Sequence, residues 1–497
     1  MSGAGPTLAA ALTLGSPFTD HAVLQRGSQV PVWGQAEAGD TITVEFAGQS
    51  KEAKADAGGS WRVDLDPLSS SAEPAVLTVR SAGGESIECE YVLVGEVWIC
   101  AGQSNMVFQV GKSPGVKALE PKAENIRSFE VKQMVAFTEQ DQLEGEWVSH
   151  HPDSAVAFSF AYHLEEAAGV PVGIILSAWG SSSLEAWMPR DMTETVPHFK
   201  TMMEEFDADT VTRERISDIL SGPRPWSGRD DIFLRRQTNI LYNAMIHPLI
   251  PYACRGVVWY QGERNTQSLE GMQKTPWFSR NSGMLRYGDT LQKWIRRYRQ
   301  AWSNDEMQFL IVMLPGYHKL LKTGPRGGPE DPNPHSWAWM RESQLQAESL
   351  PHTSVVNTID LGDVKNIHPS DKLPIGQRLA LLAARDTLGQ EIEASGPVME
   401  KIEVEEEAIT VHFRHGDGLH TTDGKAPSAF WISGEKEHWV PAQAEIVNGS
   451  VRLSSPNVKN PRFVRYAFAG KPRVNLVNQA GLPAYPFRTD AFAPASR

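Results

Sequence analysis

A chain of 497 residues is too long for one compact core, and its length favours two or three domains. Apolar residues make up 41% and charged residues 22%, the balance of a folded globular protein rather than a disordered one. A formal net charge of -13 argues against a partner bound through its phosphate backbone, so no nucleic acid is expected, and three cysteines, Cys89, Cys100 and Cys254, allow at most one disulfide and match no metal knuckle.

The first residues, Met1 to Ser16, hold a short apolar run of small residues without a basic leader, a poor secretory signal as it stands. No stretch reaches bilayer-spanning length, so no membrane partner is expected. From Phe18 to Val94 short alternating segments such as Thr41–Phe46 and Ser60–Leu65, punctuated by Gly, Asp and Pro, predict a small β-sandwich. From Gly95 the pattern becomes apolar runs, Val97–Cys100, Val172–Leu176, Gly256–Tyr260 and Gln308–Met313, of the kind a parallel sheet buries on both faces. Helices fit between them: Ala155–Ala168, stopped by Gly169, and the amphipathic stretch Tyr287–Trp302. Two Gly- and Pro-rich segments, Ser221–Arg229 and Thr323–Pro334, read as long loops, either substrate-site loops or plain surface insertions. After about Pro397 alternation returns in Ile409–Phe413, Ala444–Val447 and Ser450–Leu453, with Glu403–Glu407 a solvated acidic edge. The predicted domains are residues 1–93, 94–396 and 397–497.

Four segments at strand ends carry the residue types of acyl chemistry. In Gly95–Met106 a strand runs into a Gly-flanked turn that presents Ser104 where a helix is expected to begin, which suits a nucleophile facing backbone N–H groups, or an ordinary helix N-cap. In Ser177–Trp187 small residues allow close backbone approach, so an N–H at Gly180 or its neighbour could serve an oxyanion, or the segment is only a tight turn. Val257–Asn265 offers the Gln261 amide as a neutral donor and Glu263 as a carboxylate beside the same crevice, with a structural salt bridge as the alternative for Glu263. In Asp360–Pro369 acidic residues precede His368, a residue type suited to passing the serine proton to a leaving alcohol. No cofactor or metal is expected, because neither an H-E-x-x-H helix nor a Cys/His cage is present.

Together these blocks resemble the SGNH hydrolases and, within them, the sialate O-acetylesterase family. The resemblance rests on Gly102-Gln-Ser-Asn-Met106, Trp259-Tyr-Gln-Gly-Glu263 and Ile367-His-Pro369. It extends to Leu241–Leu249, Leu24–Arg26 with Val32–Gly34, and Gly481–Pro483 with Pro486–Asp490, nearly the whole chain. It implies an α/β fold, an SGNH-type flavodoxin-like parallel sheet with helices on both faces, flanked by N-terminal and C-terminal β-sandwich-like domains. It implies a carbohydrate O-acetylesterase in which Ser104 attacks the acetyl carbonyl, His368 activates it, and Ser104, Gly180 and Gln261 hold the oxyanion. The substrate is then an acetylated sialic acid or, alternatively, an acetylated xylan or other plant polysaccharide, and the compartment periplasmic or extracellular. Two positions depart from the family pattern: Ser181 replaces a second glycine, and Asn366 replaces an acid two residues before the histidine, which leaves Asp363 and Glu263 as equal candidates to orient His368. Arg264 is a candidate partner for a sugar carboxylate, with Arg190 and Arg326 behind it, and Trp179 a candidate substrate contact. A noncatalytic sugar-binding protein, using some of the fifteen tryptophans as stacking faces, is the competing class.

Overall fold

The computed structural model describes residues 11–271, 281–321, 324–333, 335–435 and 438–494. The start of the leader-like run and both ends of the Thr323–Pro334 segment lie outside the described residues. Five parallel strands form the centre: β1 (Ser86–Gly102), β2 (Val172–Ala178), β3 (Gly256–Tyr260), β4 (Gln308–Val312) and β5 (Thr353–Val356). Their order across the sheet is β2-β1-β3-β4-β5. Outside β2 the sheet continues through Ile126–Glu130, parallel, and Trp147–Val148, antiparallel.

The five strands are apolar because the sheet is covered on both faces. Three helices matter for that cover: α1 (Ala155–Ala168), α2 (Gly283–Trp302) and α3 (Leu373–Leu388). Trp98 of β1 meets Phe160 of α1 edge-on at 5.2 Å, whereas Trp259 of β3 meets Trp294 of α2 at 4.6 Å. Trp98 pairs with Gly256 and Trp259 with Ala101, so the two tryptophans point to opposite faces and the helices form opposite layers. On the first face α3 lies against α1, close enough for the Ser159 hydroxyl to donate to the Leu373 carbonyl at 3.0 Å. Helix α1 is bounded as its sequence predicts, with Ser154 capping the Ala157 N–H at 3.1 Å and Gly169 closing it in the left-handed region, φ 63°. Helix α2 starts four residues earlier than its amphipathic stretch suggests.

Strand β1 is 17 residues long and serves two regions. Its first part pairs antiparallel with Ser71–Ser81 of the N-terminal β region, and its last part runs in the parallel sheet, so one strand crosses residues 93 and 94 without interruption. Glu96, fully buried at this junction, is held by Arg26 at 2.7 Å and Arg255 at 2.9 Å. After α3 the chain builds two four-stranded antiparallel sheets, one from Val398–Val404, Ala408–Arg414, Gln443–Val447 and Ser450–Ser454, the other from Phe430–Ser433, Val440–Pro441, Phe463–Tyr466 and Phe487–Arg488. The acidic run after Val404 is exposed, as its composition predicts. Among the described residues no helix is long and apolar enough to cross a membrane.

Candidate active site

In a parallel sheet all strands end on the same edge, and side chains following those ends converge. Ser104 follows β1, Gly180 follows β2, Gln261 and Glu263 follow β3, and His368 lies between β5 and α3. The pair that meets is Ser104 and His368: His368 Nε2 lies 2.8 Å from Ser104 Oγ. Both side chains are partly exposed.

The turn carrying Ser104 differs from the expected helix start. Gly102 ends β1 at φ 142°, and the chain then folds into a hydrogen-bonded turn with the Met106 N–H donating to the Gln103 carbonyl at 2.8 Å and the Gln103 N–H donating to the Tyr260 carbonyl at 3.1 Å. The next helical residues are the short 3-10 turn Val110–Lys112, so no helix N-terminus points at the serine. The Ser104 and Gly180 N–H groups donate to nothing among the described residues. A methyl group placed on Gly180 would lie 3.4 Å from Ser104 Cβ, which puts that backbone directly beside the hydroxyl.

Gln261 is not free to face an oxyanion. Its side chain is buried, and its NH2 lies 3.1 Å from Gln103 Oε1, 3.1 Å from the Ser182 carbonyl and 3.0 Å from Asn265 Oδ1, which commits both hydrogens. The consequence is indirect: Gln103 Oε1, fixed by Gln261 and by the Arg264 N–H at 3.1 Å, leaves Gln103 Nε2 3.4 Å from Ser104 Oγ.

Neither candidate acid reaches the histidine ring. Asp363 is exposed and its carboxylate accepts the Lys365 and Asn366 N–H groups, both at 2.7 Å, which hold it below the usual carboxylate range. Glu263 is buried and accepts from Asn105 Nδ2; burial raises its carboxyl, against the pull of that hydrogen bond and of Lys372. Asn366, in place of the expected acid, accepts the His368 backbone N–H at 2.9 Å. His368 is lowered from its ordinary value by burial first and by the Lys372 charge second, so it stands as a neutral imidazole near pH 7.

Trp179 is 1% exposed and stacks on Trp226 at 6.2 Å, so it offers no open face to a ligand. Arg264 is half-buried, lowered to about 10 by burial and by the neighbouring Arg236. Arg236 in turn lies in the field of Arg235, and Lys319 in that of Arg264. Of these four cations Arg235 has a carboxylate partner, Asp231 at 3.0 Å, and its guanidinium would lie 3.6 Å from a methyl group on Gly180. Among the sequence candidates, Arg190 is paired with Asp207 and Arg326 is exposed. Sequence reasoning passed over Gln103, Asn105, Arg235, Arg236 and Lys372; the first two were in plain view beside Ser104, but nothing in their type distinguishes a ligand-facing amide from a buried one. Among the described residues no group of three or more His, Cys, Asp or Glu is arranged to hold a metal ion.

Residues 94–220 and 228–384 match the family described as carbohydrate esterase, sialic acid-specific acetylesterase, more than half the chain. The chain belongs to that family. As a member, the protein is a carbohydrate O-acetylesterase. The esterase is 27% identical over 437 residues to the sialate O-acetylesterase of Mus musculus, covering 78% of this chain and 76% of that one. It is 25% identical over 455 residues to the enzyme of the same name from Homo sapiens, with 84% and 79% covered. A crystal structure of a carbohydrate acetylesterase from Xanthomonas citri superposes on it with a TM-score of 0.79 at 31% identity, covering 97% of this chain and all of that one.

Proposed function

We propose that the esterase removes O-acetyl groups through an acetyl-serine intermediate on Ser104, with His368 as general base and acid, and that its preferred sugars are acidic, sialic acids first. The observation that carries the mechanism is the 2.8 Å contact between Ser104 Oγ and His368 Nε2, an imidazole that burial and the Lys372 charge favour in its neutral form. His368 takes the hydroxyl proton as Ser104 attacks the acetyl carbonyl, returns it to the departing sugar oxygen, and then activates the water that releases acetate. The developing oxyanion falls to the free N–H groups of Ser104 and Gly180. Gln103 Nε2, close to the serine oxygen, is the side-chain donor best placed to assist, a role the sequence suggested for Gln261.

The strand order β2-β1-β3-β4-β5 supports an SGNH-type, flavodoxin-like centre. A division of the chain near residue 396 fits the antiparallel sheets that begin at Val398, whereas the expected boundary at residues 93 and 94 falls inside β1, which the N-terminal β region and the parallel sheet share. The acidic-sugar preference rests on Arg264, which lies in the field of Arg236 and acts on Lys319; the Glu185 charge reaches Arg264 as well, but among the described residues none of the three cations forms an ion pair. Its competitor is an acetylated neutral polysaccharide, favoured by an open cavity of about 430 Å³ that runs from Val107 and Gln109, just past the nucleophile turn, to Gln133 and Ala178 and could seat neighbouring sugar units. The family resemblance supports a location in the periplasm or outside the cell, and cell fractionation tests that location.

Ser104→Ala is expected to abolish release of acetate from a chromogenic acetyl ester while the protein stays folded; retained turnover would sink the mechanism. Acetate release from O-acetylated sialic acid is expected to exceed that from acetylated xylan, and Arg264→Ala should narrow the difference. A clear preference for xylan would overturn the acidic-sugar reading and leave the acyl-serine mechanism standing.

A further inference from the structure

Lys372 is wholly buried, an unusual place for a lysine, and it lies four residues after His368 at the start of α3. Its Nζ donates to Asn105 Oδ1 at 2.6 Å. Asn105, the residue after the nucleophile, uses its NH2 to hold both the Glu263 carboxylate and the Ile367 carbonyl, the latter at 3.1 Å. One amide thus ties together the turn of β1, the turn of β3 and the peptide unit preceding His368. The ammonium also sits 5.0 Å from the Phe108 ring centre and 5.4 Å from that of Tyr260.

We propose that Lys372 is a positioning residue for the esterase: it fixes the Asn105 amide, and through Asn105 and the Ile367 carbonyl it sets His368 against Ser104 in place of the acid that Asn366 fails to supply. This rests on the reading of Ser104 and His368 as the reacting pair. The same residue acts on His368 through space. Its charge disfavours the imidazolium, and the groups that face it are Glu263 across the Asn105 amide, Asp371 beside it, the Tyr260 ring and His368 itself. Burial draws the lysine down to about 7, against the attraction of Glu263 and Asp371.

The test is Lys372→Met in the full-length enzyme, with kcat, KM, thermal unfolding and the pH profile of kcat/KM on a chromogenic acetyl ester. The expected result is a kcat at least tenfold lower, a KM within twofold of the parent, and an acidic limb moved to higher pH, because the charge that disfavours the imidazolium has gone. A lysine that acted on His368 through its charge alone would move that limb and leave the kcat on its plateau at the parental value. A folded variant with parental plateau kcat therefore overturns the proposal, whether or not the limb moves. If Lys372→Met does not fold, Asn105→Leu decides: it keeps the lysine, cuts both ties to Glu263 and Ile367, and should lower kcat at least tenfold at constant KM, whereas parental kcat overturns the proposal. Activity retained in Ser104→Ala would instead overturn the reading on which it rests; inactive Ser104→Ala beside a normal Lys372→Met would sink this inference alone.

Discussion

Gly102→Ala probes the step by which the sheet delivers the nucleophile. Gly102 is the last residue of β1, at φ 142°, a region that only glycine occupies without strain. A methyl group there would lie 2.2 Å from the Tyr260 carbonyl oxygen and 2.7 Å from its carbon, both backbone atoms of the neighbouring β3. To reach even the shortest separation that real side chains show, about 3.0 Å, the two strand ends must part by roughly 0.8 Å. Overpacking of this kind costs about 1–3 kcal/mol, and the forbidden φ adds about 1–3 kcal/mol, so a loss of roughly 2–6 kcal/mol is expected. The displaced turn carries Ser104, and a misplacement of about 1 Å at reacting atoms costs on the order of a hundredfold in rate. Denaturant unfolding followed by two probes, together with kcat for acetate release, measures both effects. Gly169→Ala is the control: it also sits at positive φ, but nothing lies within 4 Å and it caps α1 away from the site, so it should cost about 1–2 kcal/mol and leave kcat unchanged. Parental stability and parental kcat in Gly102→Ala would refute the reasoning.

Other outcomes follow from the same structure. Asp363→Asn should lower kcat/KM less than tenfold, since an asparagine oxygen can still accept the Lys365 and Asn366 N–H groups; a loss of about 10⁴-fold, as when a triad acid is removed, would show that Asp363 does reach His368 during the reaction. Because His368 is depressed in the folded protein, the base form persists below the ordinary histidine value of 6.5, and the acidic limb of kcat/KM should lie under that value; a limb above 6.5 contradicts the depression by burial and by the Lys372 charge. The sign for stability is the same way round: the unfolded chain takes up the proton first, so this group destabilises the fold as pH falls through 6.5 towards the folded value, and none of that loss is present above 6.5. Glu96→Ala should cost about 2–3 kcal/mol, less than the 3–5 kcal/mol of a fully buried pair because Arg26 and Arg255 are 27% and 28% exposed; urea unfolding reads it, and a change under about 0.5 kcal/mol would show the triad to be idle.

What could be read in advance was what depends on local pattern. The apolar runs at Val97, Val172, Gly256 and Gln308 all became parallel strands, because a strand buried on both faces needs no polar alternation. Ser154 and Gly169 bound α1 through one hydroxyl and one left-handed residue, both visible as residue types. The helix expected after Ser104 failed because tertiary bonding won: the Gln103 N–H goes to Tyr260 on the next strand, and the chain turns there instead of coiling. The Gln261 reading failed for a different reason, since an amide at a strand end donates equally well inward or outward and only the packing of Gln103, Ser182 and Asn265 decides which. The network around His368 shows the limit most plainly. Asn105 and Lys372 stand one and four residues from the two reacting groups, yet their contact spans 267 positions and no spacing rule joins them. A motif search for an acid two residues before the histidine finds Asn366 and reports a gap. The fold fills that gap from the other side, with an amide from the nucleophile's own turn and a lysine from the helix that follows the histidine, so the missing acid and the buried lysine are two halves of one arrangement.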